Sequence, residues 1–336
     1  MRGGCGYAIF GTVPDMRVAV LAADGVFDSG LSIVLDVLGT ANELGRTLPN
    51  AAAFEITAVG TGSEVRTGYG LRLGTTPLAE LPDRPELVAV PALGEKDPAA
   101  LVDAVRGHPA LPWLAELAAA GIPLAAACTA TFLFGEAGIL DGRSATTSWW
   151  LGSAFRRRYP AVRLDESQIL TRAGHLTTAA AAFAHIDLAL SIVADSSPAL
   201  AEQVARYLVA SPRSLQSAFV LPAVLTRSDP VLTAYESWVR AHLAESIQVG
   251  RAARAIGVSE RSLQRATAAQ IGMSPIQLVH HIRIEHAVHL LRTTDRSLHS
   301  ITTAVGYRNV STLRTLMRRH GNTTPAEVRR GAGRVL

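Results

Sequence analysis

The feature that most constrains the fold of this chain is a pattern written twice near its C-terminal end. Residues 250–275 read GRAARAIGVSERSLQRATAAQIGMSP, and residues 298–325 read LHSITTAVGYRNVSTLRTLMRRHGNTTP. In each copy a short apolar helix runs into a glycine, Gly257 or Gly306, which can close it in the left-handed conformation at no steric cost. One apolar residue follows, Val258 or Tyr307, and a second helix begins. Ser259 suits the N-cap of that helix in the first copy, and Asn309 or Ser311 in the second, because a short side-chain oxygen accepts from the free N–H groups of a first turn. Ile256 with Leu263, and Val305 with Leu313, fall where two helices joined by a tight turn would bury them. The glycines lie 49 residues apart and the leucines 50, so the second copy carries one extra turn residue. The pattern predicts two helix-turn-helix units.

The second helix of each copy bears a polar face of the kind that enters a major groove. It consists of Arg261, Ser262, Gln264 and Arg265 in the first copy, and of Ser311, Thr312, Arg314, Thr315 and Arg318 in the second. Between the copies, IQLVHHIRIEHAVHLLRTT places Leu278, Ile282, Ala287, Leu290 and Leu291 at helical spacing, which predicts one rigid helix over residues 276–293. A single glycine-turn-helix match is a weak signal, and arginines on a helix are often only a solvated face. Two copies in register with a helical bridge are much harder to obtain by chance. Charge points the same way: residues 231–336 hold 15 Lys+Arg against 6 Asp+Glu, a balance of +9, which leaves −5 for the remainder of a chain whose whole balance is +4. A polyanion-binding surface is therefore expected in the C-terminal third.

At this level the residues resemble the AraC/XylS family of transcriptional regulators over residues 231–330. The resemblance is carried by SERSLQR (259–265), GMSP (272–275), RIEHAVHLL (283–291), VGYRNVSTL (305–313) and the closing Thr324 and Pro325. It implies an all-α double helix-turn-helix domain that binds double-stranded DNA sequence-specifically. Arg308 and Asn309 in the second turn then join the contact residues named above, and RNA polymerase becomes a partner if the chain activates transcription. Three positions depart from the family pattern: Thr267 and Met317 stand where aromatic core residues are usual, and Thr315, beside Arg314, where an arginine is common. Residues 235–245 are expected to form a first, scaffolding helix, with Trp238 in its core.

The N-terminal two thirds read differently. Apolar runs at 17–25, 54–60, 86–94 and 122–127 look like buried strands, residues 29–46 and 108–121 have helical spacing, and residues 65–76 hold turns and short edge strands. Strand and helix alternate, so the economical fold is α/β, a parallel-sheet sandwich with helices on both faces. No 18-residue uncharged apolar run is present, which argues against a membrane span. Residues 1–16 are too interrupted by Gly and Pro for a signal peptide and read as a disordered tail, or Met16 is the natural start. Two cysteines, Cys5 and Cys128, are too few for a disulfide framework, and a cytoplasmic location fits.

Cys128 is the most chemistry-like residue in this part. A buried strand passes through a sharp turn straight into a helix there, which places the thiol at a helix N-terminus, where the dipole favours a thiolate and could hold a small anion. A buried, inert cysteine is the alternative. CTATFLFGEAGILDGRSATTSWW (128–150) and LTTAAAAFAHIDLAL (176–190) resemble the class I glutamine amidotransferase-like or PfpI-like domain, flavodoxin-like in fold, at the N-terminus of many AraC-type regulators, the GlxA-like group. The resemblance covers residues 17–211. By it, Cys128 occupies the nucleophile elbow, Thr129 with Ala92 and Leu93 edges the oxyanion region, and Asp24 or Asp28 is the acid near the thiol. Thr129 and Ser148 stand where enzymatic members carry histidines, and Ala180 replaces a glycine.

A cysteine nucleophile needs a base within reach, and the matched positions supply none. Of the remaining histidines, His108, His175 and His185, the last lies in an apolar helix beside Asp187 and reads as structural, while His175 begins a strand. The expectation is a transcriptional regulator with a tail at 1–16, a PfpI-like sensing and dimerising domain at 17–215, a linker at 216–230 and a DNA-binding domain at 231–336. Asp24, Asp28, Ala92, Leu93, Cys128 and Thr129 would line the site of an unidentified small-molecule effector, with no cofactor and no metal, and the chain would form a homodimer. The competing readings are a cysteine-dependent hydrolase or amidase with an accessory DNA-binding domain, and a nucleoid-type binder with little sequence specificity.

Overall fold

The computed structural model describes residues 16–46, 53–210, 226, 229–321 and 323–332. The expected tail before Met16, with Cys5, and most of the expected linker at 216–230 lie outside them. The chain divides into two compact units, Met1–Ser148 with Arg158–Ser214, and Trp149–Arg157 with Leu215–Leu336. Among the described residues no helix is long and apolar enough to cross a membrane.

In chain order the strands are β1 (Met16–Leu21), β2 (Phe54–Gly60), β3 (Glu64–Arg66), β4 (Arg72–Gly74), β5 (Thr76–Pro77), β6 (Leu87–Val90), β7 (Leu124–Ala127), β8 (Ser144–Ala145), β9 (Arg163–Leu164), β10 (Leu170–Ala173) and β11 (Leu176–Ala179). Seven of them form one sheet in the order β10-β11-β7-β6-β1-β2-β5, parallel except for the hairpin of β10 with β11. The runs LVAV and LAAA are buried at every position, as strands covered on both faces must be. The helices are α1 (Asp28–Gly45), α2 (Pro98–Val105), α3 (Leu111–Ala119), α4 (Thr131–Glu136), α5 (Gly152–Arg158), α6 (Ala184–Ser196) and α7 (Pro198–Tyr207). Of these, α1, α6 and α7 pack together as one helical layer, and α4 packs with α2 and α3 as another. The expected mostly parallel sheet with helices is what the chain forms. The loops after β1, β6 and β7 share the carboxyl end of adjacent strands, where open α/β sheets place their ligand crevice. One detail differs from expectation: His175 is a turn residue just ahead of β11, and its carbonyl accepts from Leu124 N at 3.0 Å.

From Pro230 on, the elements among the described residues are helices: α8 (Pro230–Ala241), α9 (Val249–Ala255), α10 (Glu260–Ile271), α11 (Pro275–Thr293), α12 (Leu298–Ala304), α13 (Val310–Gly321) and α14 (Pro325–Ala332). Both expected glycine turns exist, with φ of 76° at Gly257 and 78° at Gly306. Ser259 caps α10 by accepting from Ser262 N at 3.0 Å. Ser274 and Gln277 form a reciprocal capping box on α11, so the bridge starts sharply at Pro275. In the second copy α13 begins at Val310, which makes Asn309, of the two expected candidates, the residue at the N-cap position; its carbonyl accepts from Leu313 N.

Two separate cores result. Leu232, Tyr235, Val239, Ala252, Ala253, Leu263 and Ile271 close the first with Leu278, Val279 and Ile282 of α11. Ile301, Val305, Tyr307, Leu313, Met317 and Val328 close the second with Ile284, Ala287 and Leu291 of the same helix. Thr267 and Met317 are fully buried in their aromatic-like slots, and the Thr267 hydroxyl is satisfied by the Gln264 carbonyl at 3.0 Å. Trp238 packs against the first core and stacks on His242 at 4.2 Å. Because Leu263 and Leu313 belong to different cores, Leu263→Ala and Leu313→Ala should each cost about 2–5 kcal/mol, and the double variant should lose the sum to within about 0.5 kcal/mol. Urea unfolding of the three variants measures this.

Candidate nucleic-acid interface and thiol site

On α10, burying Leu263, Thr267 and Ile271 turns Arg261, Gln264, Arg265 and Ala268 outward on one face at i, i+3, i+4 and i+7. On α13, burying Leu313 and Met317 does the same for Ser311, Arg314, Thr315 and Arg318. The two faces are in register at a spacing of 50 residues, so Gln264 corresponds to Arg314 and Arg265 to Thr315. Arg308, Asn309 and Thr312 are exposed at the second turn and helix start, whereas Ser262 is half-buried and engaged with Ser259. Among the described residues, no acidic partner neutralises Arg261, Arg265, Arg308, Arg314 or Arg318, while Gln264 makes one long bond to Glu260 at 3.3 Å. Uncompensated guanidinium groups on two parallel-patterned helix faces are suited to phosphate and to the acceptor edge of guanine. Arg329, which sequence reasoning did not single out, lies beside Arg314 and Arg318 around a cleft of about 410 Å³ and is held by a bond to the Arg296 carbonyl.

In the N-terminal unit, β7 ends at Cys128, whose φ of 58° is left-handed and therefore strained for a side chain with a Cβ. The turn continues as a 3₁₀ segment, Cys128–Ala130, into α4. The thiol is 5% exposed, and its Sγ lies 2.8 Å from Ser148 Oγ. Burial pushes the thiol pKa up, outweighing the hydrogen bonds from Ser148 and from the backbone and hydroxyl of Thr129 that pull it down. Of the two readings open for Cys128, this favours the buried thiol over the helix-stabilised thiolate, since desolvation of the anion exceeds what the Ser148 and Thr129 hydrogen bonds return.

Around the thiol the polar groups are hydroxyls. Thr147 donates to Cys128 O at 2.8 Å, Thr129 to Leu93 O at 2.8 Å, and Thr146 to Gln168 O at 3.0 Å, while Thr146 N donates to the Thr178 hydroxyl at 2.9 Å. The expected acids face elsewhere. Asp24 is exposed and accepts from Arg66 N at 3.1 Å; Asp28 accepts from the Thr67 hydroxyl at 2.5 Å and from Tyr69 N at 3.0 Å. Asp28 thereby holds a loop that, with Phe27, Gly94, Glu95 and Lys96, borders a cleft of about 230 Å³.

His185 has a role that its sequence position gave only as structural. Ala92 N donates to its Nε2 at 3.0 Å, so Nδ1 carries the proton and meets Ala182 O at 2.5 Å. The Ala92 N–H is thus engaged by the imidazole. Gly30 makes room for the ring, since a Cβ there would stand 2.6 Å from Nε2. Burial, only partly countered by the Ala182 bond, lowers the His185 pKa to about 4.

Residues 16–195 match the model of the DJ-1/PfpI family, and residues 252–331 match that of a helix-turn-helix domain. The HTH-type transcriptional regulator CdhR of Pseudomonas aeruginosa is 29% identical over 203 residues, 59% of this chain and 60% of CdhR. The HTH-type transcriptional activator RhaS of Salmonella schwarzengrund is 29% identical over 111 residues, 33% of this chain and 40% of RhaS. Each match spans less than two thirds of the relative. A crystal structure of a candidate transcriptional regulator from Vibrio parahaemolyticus, 21% identical, aligns with 58% of this chain and 99% of its own at a TM-score of 0.50, which shows the shared fold.

Because His185 titrates near 4 when folded and near 6.5 when unfolded, the unfolded chain binds the extra proton between those values. The His185 contribution to stability is present above about pH 6.5 and should fall by on the order of 3 kcal/mol as pH drops to about 4. His108, also lowered by burial, acts in the same direction. Denaturation of the wild type and of His185→Gln across this range should give a flatter pH profile for the variant.

Proposed function

The chain belongs to the DJ-1/PfpI family, and from that premise we propose that it is a transcriptional regulator whose residues 17–215 sense a small molecule and whose residues 231–336 read double-stranded DNA. The observation that carries this reading is the repeated outward face, Arg261-Gln264-Arg265 on α10 and Ser311-Arg314-Thr315-Arg318 on α13, on two helix-turn-helix units built around one bridge helix. The helix-turn-helix match over residues 252–331 supports it, as do relatives named transcriptional regulators. At 19 residues α11 is about 28 Å long, close to one turn of duplex at roughly 34 Å, so a single chain is suited to two successive major grooves on one face.

The N-terminal domain acts as a receptor in this reading. The side chain bonded to the Cys128 thiol is a serine, which removes no proton at neutral pH, and the thiol is held protonated by burial. The cleft at Phe27, Tyr69 and Lys96 lies within three residues of Leu93, whose carbonyl holds Thr129. An effector there would act through that loop, in a cytoplasmic homodimer that engages RNA polymerase when it activates.

Binding to a duplex selected from a random pool tests the reading, with salt titrated to expose the phosphate contribution. Arg265→Ala should cost about 1–3 kcal/mol on the selected site and relax discrimination at one base pair. Arg318→Ala should weaken selected and random duplexes alike, as a lost phosphate contact does. Equal losses on both duplexes for Arg265→Ala would show that α10 is not the base-reading helix.

A further inference from the structure

The two helix-turn-helix units are joined by more than the length of α11. Arg283 lies midway along that helix, 6% exposed, between the residues given to the first core and those given to the second. Its Nη2 donates to Glu245 O at 2.6 Å, in the segment between α8 and α9. Its guanidinium carbon stands 5.1 Å from the centre of the Tyr307 ring, in the turn of the second unit. The Tyr307 hydroxyl meets His280 Nδ1 at 2.8 Å, back on α11, and the two rings stack with centroids 5.9 Å apart. Gly306 completes the joint, since a Cβ there would collide with Leu243 O and with Arg283 Nη2. The turn of the second unit therefore backs directly onto the chain that follows α8.

This arrangement is costly for its size. A buried guanidinium loses its hydration, Arg283 makes no ion pair among the described residues, and its Nε finds no hydrogen-bond partner among them. An apolar side chain of similar length would fill the space without that cost. What the guanidinium supplies is direction: a rigid plane of donors that takes a carbonyl from one unit and a ring face from the other at one mutual angle. A helix alone fixes the distance between its ends, and an off-axis joint also resists their rotation about it.

We propose that Arg283, with Tyr307 and His280, is a positioning residue that fixes the angle between α10 and α13, so that the spacing of the two contacted DNA segments becomes part of what the protein recognises. The proposal rests on the DNA-reading function above and adds to it a requirement for helical phase.

The test uses the full-length chain, a duplex it selects from a random pool, and the same duplex with one base pair inserted at its centre, compared by fluorescence anisotropy. One base pair turns the far segment by roughly 35° about the axis. In the wild type that insertion should weaken binding at least about ten-fold, because one unit loses its base contacts. In Arg283→Met, which keeps the apolar stem, the insertion should cost about three-fold or less, with weaker binding to the parent duplex. Tyr307→Phe keeps the ring and loses the hydroxyl's bonds to His280 and to Arg283; it should fall between the two, and it decides the matter if Arg283→Met does not fold. A folded variant that keeps the wild-type ratio between the two duplexes overturns the proposal, because Arg283 is then only a core residue. Sequence-selective wild-type binding that ignores the insertion also overturns it and leaves the DNA-reading function standing. A wild type that binds selected and random duplexes alike overturns that function, and the proposal with it.

Discussion

The C-terminal third depends on one helix being buried along two of its sides. The apolar stripe of α11 faces one core through Leu278, Val279 and Ile282, then shifts around the axis to face the other through Ile284, Ala287 and Leu291. Helices of seven residues such as α9 and α12 are too short to hold themselves in water, and each becomes stable only by packing against this shared surface. The outward faces of α10 and α13 are what remains once those contacts are satisfied. Their direction is thus set by residues that touch no ligand.

In the N-terminal two thirds the corresponding constraint is the turn at Cys128. A left-handed cysteine costs on the order of 1–3 kcal/mol, and it persists only where the surroundings hold it. Here they are Ser148 on the sulfur, Thr147 on the carbonyl, and Thr129 tied to the loop after β6. The same loop is fixed from its other side by His185, for which Gly30 leaves the space. Four segments distant in sequence thereby meet at one strand end, and moving any of them disturbs the rest.

Much of this was legible in the residues alone. The duplicated glycine turns, the bridge helix and the outward faces all follow from local spacing, and local spacing survives folding. The mostly parallel sheet with helices is legible through the alternation of apolar runs and helical spacing, whereas its strand order is not. The choice between thiolate and buried thiol is not local: a helix start is visible in sequence, but the burial of Cys128 depends on distant segments such as 147–148, which bonds its sulfur and its carbonyl. His185 was placed in an apolar helix, yet its bond to Ala92, 93 residues away, has no local signature. Arg283 is similarly unremarkable in a run of helix formers, because its partners Glu245 and Tyr307 are distant from it in sequence on either side.

The mismatch between the two outward faces has a further consequence. Where α10 offers Gln264 and Arg265, α13 offers Arg314 and Thr315, and Ala268 is replaced by Arg318 one turn on. The two copies differ at each of the four outward positions, while at the inward ones they share Leu263 and Leu313 and differ at Thr267 and Met317. A protein laid along a duplex by two unlike ends has a front and a back. It can be set down in only one orientation on a given site, which would give the adjoining gene an upstream and a downstream without any second subunit.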